Sequence, residues 1–121
     1  MALQTLKIYT ISNWTVKRGR DKEFVEAWKV FANWIVLQKG TGPTRLLRDD
    51  LDPAHYISIE SWEDESTRAA IQRGVPFGRQ SYKLQQLAID FSSRPFKKEG
   101  EEFPITASAG TSPQGLTKQG A

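Results

Sequence analysis

Two stretches of the chain alternate apolar and polar residues, and three others repeat their apolar positions at helical spacing. From Leu6 to Lys17 the alternation puts Leu6, Ile8, Thr10, Ser12, Trp14 and Val16 on one face of a strand and Tyr9, Ile11 and Asn13 on the other. A second run begins at His55 and Tyr56 and closes in Glu60-Ser61-Trp62-Glu63-Asp64. Tyr56, Ser58, Glu60 and Trp62 share one of its faces, and His55, Ile57, Ile59 and Ser61 the other. Both faces of both strands carry bulk, so each face needs cover.

Between these strands, Phe24, Trp28, Phe31 and Ile35 recur at spacings of four, three and four, with Lys22, Glu26, Lys29 and Asn33 opposite them. This predicts a long helix from Asp21 to about Gln38. Gly19 supplies the turn before it, Asp21 caps it, and Gly40-Thr41-Gly42-Pro43 ends it. Thr44 to Asp50 reads as a short strand, joined to the Tyr56 strand through Asp49-Asp50-Leu51-Asp52-Pro53 as a hairpin. Asp49, Asp50 and Asp52 are expected to be a solvated turn, because a calcium loop would need a downstream bidentate glutamate and a glycine at the bend. Helices are then expected over Glu65–Arg73 and Arg79–Phe91, interrupted by Gly74-Val75-Pro76-Phe77-Gly78. A last strand over Ser92–Lys98 completes the order. Pro95 lacks an amide hydrogen, which confines that strand to an edge or a bulge.

The order strand, helix, strand, strand, helix, strand predicts an α+β fold, a ferredoxin-like βαββαβ protomer with an antiparallel sheet. Residues 1–98 form this domain. From Glu99 to Ala121 the composition turns to glycine, serine, threonine and proline without periodicity, which reads as a flexible tail in which Phe103 and Ile105 are the apolar anchors.

Composition narrows the function classes. The 121 residues contain no cysteine, which excludes disulfides, thiolate zinc sites and cysteine nucleophiles. The N-terminus shows no basic region followed by an apolar run, and no segment has the apolar length of a membrane span, so a cytoplasmic protein without a membrane partner is expected. Seventeen basic residues against fourteen acidic ones leave a net charge of +3, too balanced to call for nucleic acid. The strand His55-Tyr56-Ile57-Ser58-Ile59 also lacks the basic and paired aromatic pattern of RNA-binding sheets. Gly74 to Gly78 is not followed by the Lys-Ser/Thr of a phosphate loop.

Val16-Lys17-Arg18-Gly19-Arg20-Asp21-Lys22-Glu23-Phe24, continuing to Ala27-Trp28, resembles the opening of antibiotic biosynthesis monooxygenase domains. Arg45-Leu46-Leu47-Arg48-Asp49, Asp52-Pro53 and Ile59-Glu60-Ser61-Trp62-Glu63 resemble their central hairpin, and the similarity spans roughly residues 5–98. It implies a homodimer that pairs sheet to sheet as a dimeric α/β barrel. It also implies oxidation of a small aromatic, quinol or polyketide-like substrate by dioxygen with neither cofactor nor metal. A non-catalytic, ligand-binding or stress-associated dimer of the same fold is the alternative, since many relatives carry a histidine where Ile71 stands. Haem-degrading relatives have Asn, Trp and His at positions matching about Ser12, Ile71 and Ser81, so haem is not expected. The sole histidine, His55, reads as a turn or surface group rather than a ligand.

Four tryptophans are the compositional excess, and indoles can build a flat wall for a planar ligand. Trp14 and Trp62 fall at strand ends facing the helices. Trp28 sits on the helix stripe, where core packing competes with a place in the wall. With Ser12, Trp14, Trp28, Ser58 and Tyr82 as substrate-binding candidates and Asn13 and Asn33 nearby, Glu60 and Trp62 are the catalytic candidates. Glu60 acts as a base if burial raises its pKa; otherwise it makes a salt bridge to Arg45 or Arg48 on the neighbouring strand.

Overall fold

The computed structural model describes residues 6–100, so the expected tail lies almost wholly outside the described residues. Its elements run β1 (Ile8–Val16), α1 (Asp21–Ile35), β2 (Arg45–Arg48), β3 (His55–Trp62), α2 (Glu65–Arg73), α3 (Val75–Leu87) and β4 (Ala88–Lys97). All strand pairs are antiparallel and the sheet order is β2-β3-β1-β4. This is the ferredoxin-like arrangement. β1 and β3 lie at its centre, where both of their backbone edges are paired.

One face of the sheet receives all three helices. Trp14 and Val16 of β1 and Tyr56 and Trp62 of β3 pack with Phe24, Phe31 and Ile35 of α1 and Leu84 and Leu87 of α3 in one buried core. The parity expected from the alternation therefore holds across both central strands: Thr10, Ser12, Ser58 and Glu60 are buried on the same side. Asp21 and Glu23 sit in the first turn of α1, where negative charge favours the exposed amides. Asp21 is not the cap, however. The capping position is Arg20, whose side chain makes no capping bond, while Asp21 lies 3.7 Å from Arg48. Asp64 does cap α2, accepting from the Thr67 amide at 2.8 Å.

α1 stops at Ile35, short of Gln38. The Ile35 and Gln38 carbonyls accept from the amides of Gln38 and Thr41, and the Thr41 hydroxyl lies 3.1 Å and 2.8 Å from the same two oxygens, fixing the chain as it leaves the helix. Gly40 then adopts a φ of +88°, and a Cβ there would come within 2.7 Å of Thr67 at the start of α2. Only glycine suits both demands.

α3 and β4 differ most from expectation. Gly74 and Pro76 look like a break, yet proline is tolerated in the first helical turn, and here Pro76 opens α3 at Val75. The helix ends correspondingly early. Phe91 belongs to β4, a ten-residue strand paired along β1 with Pro95 opposite Thr10. Being the sheet's edge, β4 has an unpaired side on which a missing amide hydrogen is harmless.

The acidic hairpin turn is a hydrogen-bonded turn. Asp49 Oδ1 accepts from the amides of Leu51 and Asp52, and Asp52 Oδ1 accepts from that of Ala54. The other oxygen of Asp49 is 2.9 Å from His55 Nδ1, while His55 Nε2 lies 2.8 Å from Asn13 Oδ1. Asn13 and His55 thus engage one another on the sheet face away from the helices. Among the described residues no three His, Asp or Glu side chains gather as a metal site. No described helix is long and apolar enough to cross a membrane.

Candidate active site

A cavity of about 240 Å³ opens between the sheet and the helices. From the sheet it is lined by Ser12, Trp14, Ser58, Glu60, Phe91 and Ser93, and from the helices by Phe31, Gln72, Phe77, Ser81, Leu84 and Gln85. Four aromatic rings, Trp14, Phe31, Phe77 and Phe91, stand among polar side chains in its lining. Trp14 lies 4.3 Å from Phe91 and 5.4 Å edge-on to Phe24, and Phe31 meets Phe77 at 5.5 Å and 81°. Such tilted and edge-on contacts hold rings in place without closing the space between them.

Glu60 is the one ionisable residue in that lining. It is only 6% exposed, and burial pushes its carboxyl up to about 7 against the hydroxyl hydrogen bonds that favour the charged form. Thr10, directly across from it on β1, donates to Oε1 at 3.0 Å. The salt bridge to Arg45 or Arg48 is not made. Arg45 stands opposite Ile59, one residue out of phase with Glu60, and Arg48 is placed over the Tyr56 ring and beside Asp21.

Of the candidates named from sequence, Ser12, Trp14, Ser58 and Glu60 are brought together at the cavity. The Trp14 indole donates to Ser58 Oγ at 3.0 Å, and Ser12 donates to Ser93 Oγ on β4 at 2.9 Å. Trp62 lies outside the lining, fully buried, with its indole donating to Thr10 Oγ1 at 3.2 Å. Trp28 is also outside it, packed in the core with no hydrogen-bond partner for Nε1. Tyr82 is 62% exposed, and its hydroxyl accepts from Gln86 one turn along. The reason is helical phase: Ser81, Leu84 and Leu87 are the buried positions of α3, and Tyr82 falls between them. Asn33 is exposed on α1 and Asn13 is engaged with His55.

Thr10, Phe77, Phe91 and Ser93 escaped the sequence reading of the site. Thr10 had a signal available, because it shares the parity of Ser12 and Trp14 and pairs with Glu60. Phe91 and Ser93 become visible only once β4 is known to begin at Ala88.

The family model for antibiotic biosynthesis monooxygenase matches residues 8–73, more than half of the 121 residues. No curated protein matches the chain. Among solved structures, SnoaB, a cofactor-independent oxygenase from Streptomyces nogalater, superposes with a TM-score of 0.72 at 20% identity, over 84% of this chain and 100% of its own. A conserved protein from Methanosarcina mazei Go1 gives 0.71 at 18% identity, over 79% of this chain and 96% of its own. A putative antibiotic biosynthesis monooxygenase from Bordetella bronchiseptica gives 0.70 at 15%, over 78% and 99%. At these identities the superpositions establish a shared fold, and the match of the family model establishes kinship: the chain belongs to the antibiotic biosynthesis monooxygenase family.

Proposed function

We propose that this chain is a cofactor-independent monooxygenase that oxidises a small aromatic, quinol or polyketide-like substrate with dioxygen in the cavity beside Glu60. The observation that carries the reading is the carboxyl itself, buried in the wall of an aromatic cavity and raised to about 7. A general base works best when its pKa lies near the working pH. Family membership and the fold shared with a cofactor-independent oxygenase support the same chemistry. A cavity of about 240 Å³ lies just below the roughly 300–1,000 Å³ typical of drug-sized ligands, in keeping with a small substrate.

In this mechanism Glu60 takes the phenolic or enolic proton, and the electron-rich anion gives one electron to dioxygen. The substrate radical and superoxide combine at a ring carbon to form a peroxide. Loss of water then leaves a carbonyl there. The substrate loses two hydrogens and gains one oxygen atom, and the second oxygen leaves as water. Trp14, Phe77 and Phe91 hold the ring and keep bulk water from the radical pair, while Ser12 and Ser58 line the polar wall beside it. Trp62 supports this site from beneath, through Thr10.

The test is incubation with a panel of hydroquinones and anthrones in air and without oxygen, with no flavin or metal added. An anthraquinone from an anthrone, or a hydroxyquinone from a hydroquinone, is expected, carrying one atom of labelled dioxygen and formed with one dioxygen consumed and no hydrogen peroxide released. Peroxide release without incorporation rejects the monooxygenase. If no member is turned over while planar ligands still quench tryptophan fluorescence, a binding module replaces the enzyme.

The reading includes a cytoplasmic homodimer joined through the sheet face away from the helices. Tyr9, Ile11, Ile57 and Ile59 on that face are only half-buried, and Leu47 and Phe96 beside them are 51% and 44% exposed. The described helices all cover the other face. Ile57→Lys is expected to turn a dimer into a monomer in sedimentation at micromolar concentration, because a paired interface would bury the unpaired charge. A parent protein that sediments as a monomer removes the dimer from the proposal.

A further inference from the structure

We infer that Thr10 is a positioning residue for Glu60, held as a hydrogen-bond donor by the indole of Trp62. The inference deepens the reading of Glu60 as a base and rests on it for any effect on turnover. An indole nitrogen can only donate. At 3.2 Å from Thr10 Oγ1 it occupies a lone pair of that hydroxyl, which leaves the hydroxyl hydrogen to point at Glu60 Oε1, 3.0 Å away. Trp62 is 0% exposed and Thr10 1%, so bulk water does not compete for either bond. The direction of the proton is thus built into the packing.

Thr44 has a weaker claim, and Ser58 acts beside Thr10. Thr44 Oγ1 is 3.5 Å from Glu60 Oε2 but 3.1 Å from the Ile59 carbonyl, and its single hydrogen favours the shorter bond. Ser58 is fixed in the manner of Thr10, by the indole of Trp14 at 3.0 Å, and it also favours the charged carboxyl. No charged side chain contributes to the shift of Glu60. On β2, Arg45 is out of phase and Arg48 is engaged with Asp21 and Tyr56. Arg68 on α2 is held by Glu65 and Gln72, and α3 brings only Ser81 and Gln85 as polar groups to the cavity. Glu60 therefore accepts a proton against hydroxyls alone. Burial raises the carboxyl, and of the hydroxyls that oppose it Thr10 makes the shortest hydrogen bond to it, at 3.0 Å.

The experiment follows the Glu60 carboxyl carbon by NMR across pH in substrate-free protein carrying labelled glutamate, with the signal assigned by its loss in Glu60→Gln. Thr10→Val keeps the shape and removes the donor, so the midpoint should rise by about one unit. Thr10→Ser should return it to the parent value, and Trp62→Phe should raise it by less than Thr10→Val. Near-ultraviolet circular dichroism checks the fold, and Thr10→Ala substitutes if the valine variant does not fold. An unchanged midpoint in the folded variant lacking the hydroxyl overturns the inference, as does a serine variant that stays shifted. An unmoved Trp62→Phe midpoint removes the indole from it. Because the midpoint is read without substrate, a shift accompanied by no quinol turnover rejects the oxygenase and keeps the positioning. Turnover with an unmoved midpoint does the reverse.

Discussion

Replacing Glu60 by glutamine should lower turnover of any quinol or anthrone that the parent oxidises by about a hundredfold or more, since a positioned general base supplies roughly 10²–10⁴-fold. It should also change how stability depends on pH. The folded chain holds the Glu60 proton to about pH 7, against 4.5 for the group's ordinary value. Folding therefore tightens proton binding. The stability it contributes is full below about pH 4.5 and is lost as pH rises through 7. From pH 5 to pH 8 the loss amounts to about 2–3 kcal/mol. Glutamine keeps the shape and an acceptor for Thr10 but does not titrate, so relative to the parent it should gain that amount over the same interval in urea unfolding. Parallel stability curves for the two proteins would refute a raised Glu60. The carboxylates held low by their partners, Glu23, Asp49, Asp64 and Glu65, act at lower pH and are common to both proteins.

Trp14→Ala should cost about 3–5 kcal/mol in unfolding free energy, the range for removing a large buried ring. Trp14 is where three contacts meet: Phe24 of α1, Phe91 of β4 and the hydroxyl of Ser58. Its loss merges the cavity with the space the indole filled and leaves Phe91, already 40% exposed, without its neighbour. Trp14→Phe restores a ring but not the donor to Ser58, and should recover most of the stability. Urea or thermal unfolding of the three proteins reads the series. A loss under about 1 kcal/mol in the alanine variant would mean that the ring is not part of the core, since such small effects are typical of surface sites.

The fold was legible where one period dominated. The Phe24, Trp28, Phe31 and Ile35 spacing located α1, and the alternation in β1 and β3 placed Ser12, Trp14, Ser58 and Glu60 on one face before any tertiary contact was known. Legibility failed where local chemistry admits two outcomes. Pro76 stops a helix when it is internal and starts one when it lies in the first turn, and the second outcome goes with tertiary packing of Phe77 against Phe31 and Trp34, which the local sequence does not reveal. Misplacing that boundary moved Phe91 from strand to helix. It also hid the β4 wall of the site. Tyr82 was misjudged because aromatic character says nothing about helical phase. For Glu60 the sequence left a base raised by burial and a salt bridge to arginine both open; partners on adjacent strands are set by register, and the register gives it Thr10.

β1 lies between β3 and β4, and its pairing with β4 joins residues as distant as Ile8 and Lys97. Closing so long a loop is entropically slow, and contacts of this range limit the rate at which small domains fold. During synthesis β1 can find β3 while β4 is still unmade, leaving Trp14 and Ser12 facing an open edge. Phe91 and Ser93 close it only when the last strand arrives. The cavity is therefore the final part of the domain to be assembled, and a chain halted before β4 would carry Glu60 in a half-built, water-filled cleft with one of its edges free to recruit a foreign strand.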